Sequence, residues 1–126
     1  MVKKIKFTIP LKPITKKNSQ QIVHNKRTGR PLIVPSKQYK QYEKDCGHFI
    51  PCRRLRISYP VNLQAVYYMP TRRRVDLINL HEALQDILVK YDVLEDDNFQ
   101  IIASTDGSRV EIDKENPRTE VEITAK

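Results

Sequence analysis

The chain contains no tryptophan, three glycines and two cysteines in 126 residues. So few glycines leave no glycine-rich loop of the Walker or dinucleotide type, and no nucleotide cofactor is expected. Cys46 and Cys52 fit neither a CxxC redox or zinc pattern nor a secreted disulfide framework, so both are read as reduced thiols. No apolar run approaches the ~20 residues that a membrane helix needs, and the lysine-rich start leads into no signal-peptide core. A cytoplasmic protein without a membrane partner is the expectation. His81-Glu82 opens like a zinc-protease helix, but Gln85 stands where a second histidine is required. His24 and His48 lie in polar stretches with no matched base or nucleophile. The most informative scarcity is of acid at the start: residues 1–75 hold only Glu43 and Asp45 against 18 Lys and Arg.

The remainder is the reverse, with 13 Asp and Glu against 5 Lys and Arg in residues 76–126, beneath a net charge of +8. A basic half suits a polyanion, because Lys and Arg release counterions from phosphates. An acidic half concentrates the hard oxygen donors that magnesium prefers. Together they suit a metal-dependent nuclease, although basic and acidic surfaces that simply pair with each other would give the same composition. Length, a hydrophobic fraction of 39% and a mean hydropathy of −0.59 indicate one small domain over residues 1–126. A domain of that size builds a core without metal or disulfide staples, so any metal serves function.

Alternation predicts a strand over Lys4–Ile9, ended by Pro10 and Pro13. Ile22-Val23 and Leu32-Ile33-Val34 flank a basic turn, His24 to Arg30, where Gly29 supplies a positive φ; this is a basic N-terminal hairpin. Ser36 is placed to cap a helix through Lys37–Cys46. Alternation then predicts a long strand from Arg54 to Met69, bent at Pro60. Leu77, Leu80, Leu84, Ile87 and Tyr91 recur every three or four residues and predict a core-facing helix. Strands at Gln100–Ala103 and Thr119–Ile123 complete an α+β fold, a mixed β-sheet packed by two main helices.

The chemistry concentrates in Arg72-Arg73-Arg74-Val75-Asp76 and, after the helix, in Leu94-Glu95-Asp96-Asp97-Asn98. Guanidinium groups fork onto phosphate oxygens, and a carboxylate beside them holds a metal against the same phosphate. The return turn carrying Asp96 and Asp97 brings a second carboxylate source toward the first. Asp76 reads equally as a helix N-cap with Asn79 in the capping-box position, and Asp96-Asp97 as a solvated turn.

Arg72-Arg-Arg74, Asp76-Leu-Ile-Asn-Leu80, Asp86 and Leu94-Glu-Asp-Asp97 resemble the core of the RusA family of Holliday-junction resolvases, as do Ile9-Pro10, Pro13 and Asn18. The resemblance covers most of the chain and is most specific over residues 72–98. It implies a homodimer that makes paired symmetric nicks in four-way DNA during recombination and repair, in a bacterial or phage-infected cell, prophage included. It also implies magnesium, with manganese as a substitute, held around Asp76 and Asp97. Lys16, Lys17, Asn18, Arg72, Arg73 and Arg74 are the expected DNA-binding residues, some of which serve only as solvated charge. Two departures stand out: Ile78 occupies the place of a family aspartate, and Glu82 that of a family lysine. Residues four apart share a helix face, so Glu82 is placed to supply the carboxylate missing at Ile78, with Asp86 one turn further and Asp96 beside Asp97. The alternatives are a catalytically silent branched-DNA-binding protein, or a nuclease for other branched or flapped DNA.

Overall fold

The computed structural model describes residues 4–16 and 20–126. Strand β1 (Lys4–Ile9) precedes a hairpin, β2 (Gln20–His24) and β3 (Pro31–Pro35), then helix α1 (Lys37–Cys46) and a short 3-10 turn, Gly47–Phe49. Strand β4 (Val61–Met69), helix α2 (Leu77–Lys90) and strands β5 (Ile102–Ser104), β6 (Arg109–Ile112) and β7 (Arg118–Ala125) follow. The main sheet runs β1-β7-β4-β5, with β6 also on β4, while β2 and β3 form a separate ribbon. β7 is antiparallel to both β1 and β4, whereas β5 and β6 run parallel to β4. The α+β reading of a mixed sheet with two helices is what the structure shows.

Strand β4 buries Val61, Leu63, Ala65, Val66, Tyr67 and Met69. Helix α2 lays Leu80, Ala83, Leu84, Ile87 and Leu88 into the same core. Burial of each large aliphatic side chain is worth roughly 1.5–3 kcal/mol, so this helix is anchored by packing more than by propensity. Helix α1 adds Tyr39, Tyr42 and Cys46, and Ser36 Oγ accepts the Tyr39 amide at 3.1 Å as the expected N-cap. Both cysteines are free thiols, and burial pushes Cys46 up to about 12. Among the described residues no helix is long and apolar enough to cross a membrane.

Two boundaries and one strand depart from the sequence expectation. Arg54–Pro60 is not the first half of a strand, because Arg54 and Arg56 take φ of 68° and 45°, a left-handed backbone that cannot continue a ladder. The segment is instead stitched to the loop after α2: Arg56 N donates to Asp92 O, Ile57 N to Val93 O and Glu95 N to Ile57 O. The strand expected at Gln100–Ala103 begins later, at Ile102, because the Ile101 and Ile102 amides both turn back to Asn98 O. Strand β6 was not anticipated. It lies on the same edge of β4 as β5, and the turn between them is laced to β4 by side chains. Asn62 Oδ1 accepts from Ser104 Oγ at 2.6 Å and Asp106 N at 2.8 Å, and Ser108 Oγ accepts from Ala65 N at 3.0 Å.

Candidate active site

Strand β4 ends at Met69 and delivers the chain through the exposed run Thr71 to Arg74 into α2. Thr71 Oγ1 accepts the Arg73 amide at 3.3 Å, which turns the backbone. Among the described residues Arg72, Arg73 and Arg74 enter no ion pair. Asp76 occupies the N-cap position of α2, with φ −90° and ψ 126°, yet its side chain makes no capping bond. Its Oδ2 accepts from the Asn79 amide side chain, at 3.3 Å. The capping role open to Asp76 is thus taken in position but not in chemistry, which leaves an exposed carboxylate next in sequence to three arginines at the positive end of a helix.

The return turn holds the second acidic group. Asp97 N donates to Asp96 Oδ1 at 2.7 Å and the Asn98 amide side chain to Asp96 Oδ2 at 3.3 Å, fixing Asp96 across the turn. Partial desolvation first, then the hydrogen bond and charge of Asp96, and the charge of Asp86, raise Asp97 above the usual carboxylate range. Asp86 therefore lies within electrostatic reach of Asp97 although the two are on different elements. Asp86 is itself held by Lys16, whose Nζ sits 2.7 Å from Oδ2 and 5.8 Å from the Tyr39 ring centroid. Lys16 was expected on DNA phosphate; here its partner is a carboxylate.

Lys16 thus pairs with Asp86, Asp96 stands beside Asp97 and Asn79 holds Asp76, while Glu82 stands exposed on α2 and adds to the field that raises the Tyr39 hydroxyl after burial, Glu43, Asp86 and Cys46. Among the described residues no three His, Cys, Asp or Glu side chains converge as a metal cage. Magnesium does not require one, since it is commonly held by one or two carboxylates together with substrate phosphate. The donors fit such an ion: all are hard oxygens, and the negative charge of Asp96 and Asp86, which adds to desolvation in raising Asp97, is what a divalent cation would offset. Ile78 does not fill a core position; it is 79% exposed, as is Phe99 at 80% beyond the acidic turn. Lys17 and Asn18 lie outside the described residues.

Two features went unread in the sequence. Tyr67 Oη and His81 Nδ1 share a 2.7 Å hydrogen bond in the core beneath the first turns of α2, and burial lowers the His81 pKa. The strand alternation placed Tyr67 inward, and His81 follows Leu77 by one helical turn, so the pairing had a signal. Second, a cleft of about 400 Å³ is lined by Lys12, Gln38, Thr71, Arg73 and Arg74, which makes it cationic. Lys12 belongs to the proline-bracketed loop and gave no pattern of its own.

None of the curated proteins matches the chain. A family model, that of endodeoxyribonuclease RusA, matches residues 10–124, spanning the arginine run, Asp76, α2 and the Asp96-Asp97 turn. The chain therefore belongs to the RusA family of endodeoxyribonucleases, which hydrolyse phosphodiester bonds in DNA.

Proposed function

We propose that the chain, as one domain over residues 1–126, resolves Holliday junctions by paired symmetric nicks, working as a magnesium-dependent homodimer in recombination and repair. The observation that carries the reading is that neither Asp76 nor Asp97 is paired with a cation among the described residues. Asp76 makes no side-chain capping bond and follows Arg72, Arg73 and Arg74, which enter no ion pair among the described residues, and Asp97 feels the negative charge of Asp96 and Asp86. Asp76 and Asp97 would hold the metal, with Glu82, Asp96 and Asp86 as the carboxylates available to complete or orient its shell. When bound, the metal supplies charge stabilisation on the scissile phosphate and an acidified water. The arginines grip backbone phosphate and keep the scissile group against the carboxylates, a positioning role that guanidinium geometry favours over lysine. A four-way junction has near twofold symmetry, so a C2 dimer presents two related sites to its two strands of like polarity.

The exposed Ile78, standing where the family has a carboxylate, favours a second reading as a silent binder of branched DNA. Incubation with four-way, flapped and linear DNA of matched length, with magnesium and with chelator, separates them. Magnesium-dependent cutting of the four-way substrate alone, lost in Asp97→Asn while binding persists, is the expected result. Binding without cutting selects the silent module, and preferential cutting of flaps selects another branched substrate.

A further inference from the structure

The hairpin β2–β3 belongs to neither the sheet nor the site just described. Among the described residues its strands pair only with each other, over the register Gln20↔Pro35 to His24↔Pro31. The tip is built by its own hydrogen bonds. Asn25 Oδ1 accepts from Arg27 N at 2.8 Å and Thr28 N at 3.3 Å, Gly29 N donates to Asn25 O at 2.7 Å, and Asn25 N donates to Arg30 O at 2.8 Å. Gly29 permits this closure with φ +70°, a Cβ placed there would meet nothing within 4 Å, and residues 26–32 are exposed. Lys26, Arg27 and Arg30 are exposed on that frame and make no ion pair among the described residues. No Asp or Glu precedes Glu43 in the chain, so nothing acidic on the hairpin offsets them.

We propose that this hairpin is a DNA-contacting arm, separate from the cleavage site, whose cationic tip enters a groove of a duplex arm of the substrate. The dimensions agree. Strands of 5 residues each reach about 17 Å at ~3.4 Å per residue, enough to cross a major groove ~12 Å wide and ~8.5 Å deep, which admits a two-stranded ribbon. Charge complementarity selects the partner, since an unpaired cationic tip without neighbouring acid is matched by the phosphate rails on either side of a groove. A tip held by its own turn also loses little conformational freedom on docking. The inference rests on the chain acting on DNA and not on junction resolution, so binding tests it and cleavage does not enter.

The experiment compares the wild-type chain with Lys26→Gln/Arg27→Gln/Arg30→Gln, in chelator, on four-way, linear duplex and single-stranded DNA at rising salt. Each phosphate contact on duplex DNA contributes a slope of ~0.9 in log affinity against log salt. Loss of three contacts means that from 50 to 200 mM salt the wild type weakens about 40-fold more than the variant. That difference is expected on both duplex-containing substrates and absent on the single strand. Equal slopes on duplex overturn the arm, and an equal change on single strands overturns its placement in a groove. Arg27→Lys/Arg30→Lys keeps the charge and should keep the slope; a slope lost here as well would attribute the effect to misfolding and refute the proposal. Wild-type protein that binds and never cuts would sink the resolvase reading while leaving this one standing.

Discussion

Tyr67→Phe removes the one hydroxyl that touches His81 Nδ1 inside the core. Tyr67 is 1% exposed and His81 8%, and His81 Nε2 has no other partner among the described residues. The substitution leaves an imidazole with neither ring nitrogen paired. A hydrogen bond contributes about 1 kcal/mol net, and a stranded buried polar group costs about 1–3 kcal/mol. Tyr67→Phe should therefore destabilise the fold by about 2 kcal/mol, a fall of roughly 5–10 °C in Tm for a chain of this size. His81→Leu strands the Tyr67 hydroxyl but also removes the orphaned Nε2, so its loss should be smaller, about 1 kcal/mol. In Tyr67→Phe/His81→Leu both polar partners are gone together, and most of the stability should return, giving a coupling of about 1–2 kcal/mol. Urea unfolding of the four proteins above pH 7 measures this cycle. Burial lowers the His81 pKa, so the unfolded chain binds the proton more readily than the folded one. The contribution is fully present above the ordinary histidine pKa of ~6.5 and is lost as pH falls below it toward the lowered folded value. His81→Leu should flatten stability in that acidic window. Additive losses in the cycle, or an unaltered pH profile in His81→Leu, would refute the reasoning.

Neutralising Arg72, Arg73 and Arg74 together should weaken junction binding and lower its salt slope by up to ~2.7; an unchanged slope returns them to solvated surface charge. Glu82→Gln should reduce magnesium-dependent cleavage at least 100-fold, with partial recovery in Glu82→Gln/Ile78→Asp; parental cutting by Glu82→Gln would show that the missing carboxylate is not supplied from position 82. Sedimentation should find a homodimer free or on a four-way junction, and monomer in both states would remove the symmetric-nick model. Ser36→Ala should cost about 1 kcal/mol in urea unfolding through loss of the α1 cap, and no change would mean that water serves the Tyr39 amide equally well.

Elements whose side chains alternate or recur against one core are legible in the sequence itself. α2 and β1 announce themselves because Leu80, Leu84, Ile87 and Phe7, Ile9 must all face inward. The Asn25 to Arg30 turn was legible through Gly29. What failed has a common cause. Leu55, Ile57 and Tyr59 alternate as a strand does, yet Arg54 and Arg56 take a left-handed φ and Arg56 and Ile57 are bonded to Asp92 and Val93, tertiary bonds that no local pattern records. β6 escaped for a related reason: Arg109, Glu111 and Ile112 are exposed and only Val110 packs inward, so hydrophobic alternation has nothing to act on. In the site, the types and order of the residues were readable, but their grouping was not. That Asp86 answers to Lys16 and Asp97 depends on how α2 crosses the loop that carries Lys16.

The pairing of β1 with β7 has a consequence for how the chain comes to be folded at all. Lys4 finds Thr124 and Ile9 finds Thr119, and β1 has no other partner among the described residues. Synthesis at ~5–20 residues per second leaves the first strand without its neighbour for on the order of ten seconds. During that interval it is an unpaired edge, the kind of segment through which nascent chains stick to one another. Its exposed face carries Lys4 and Thr8, with Lys6 between them, so the waiting strand is guarded by like charge against another copy of itself. When the last strand arrives, Lys4 Nζ meets Glu122 Oε1 at 2.7 Å, and the charge that kept strangers away becomes one of the contacts that admits the right partner.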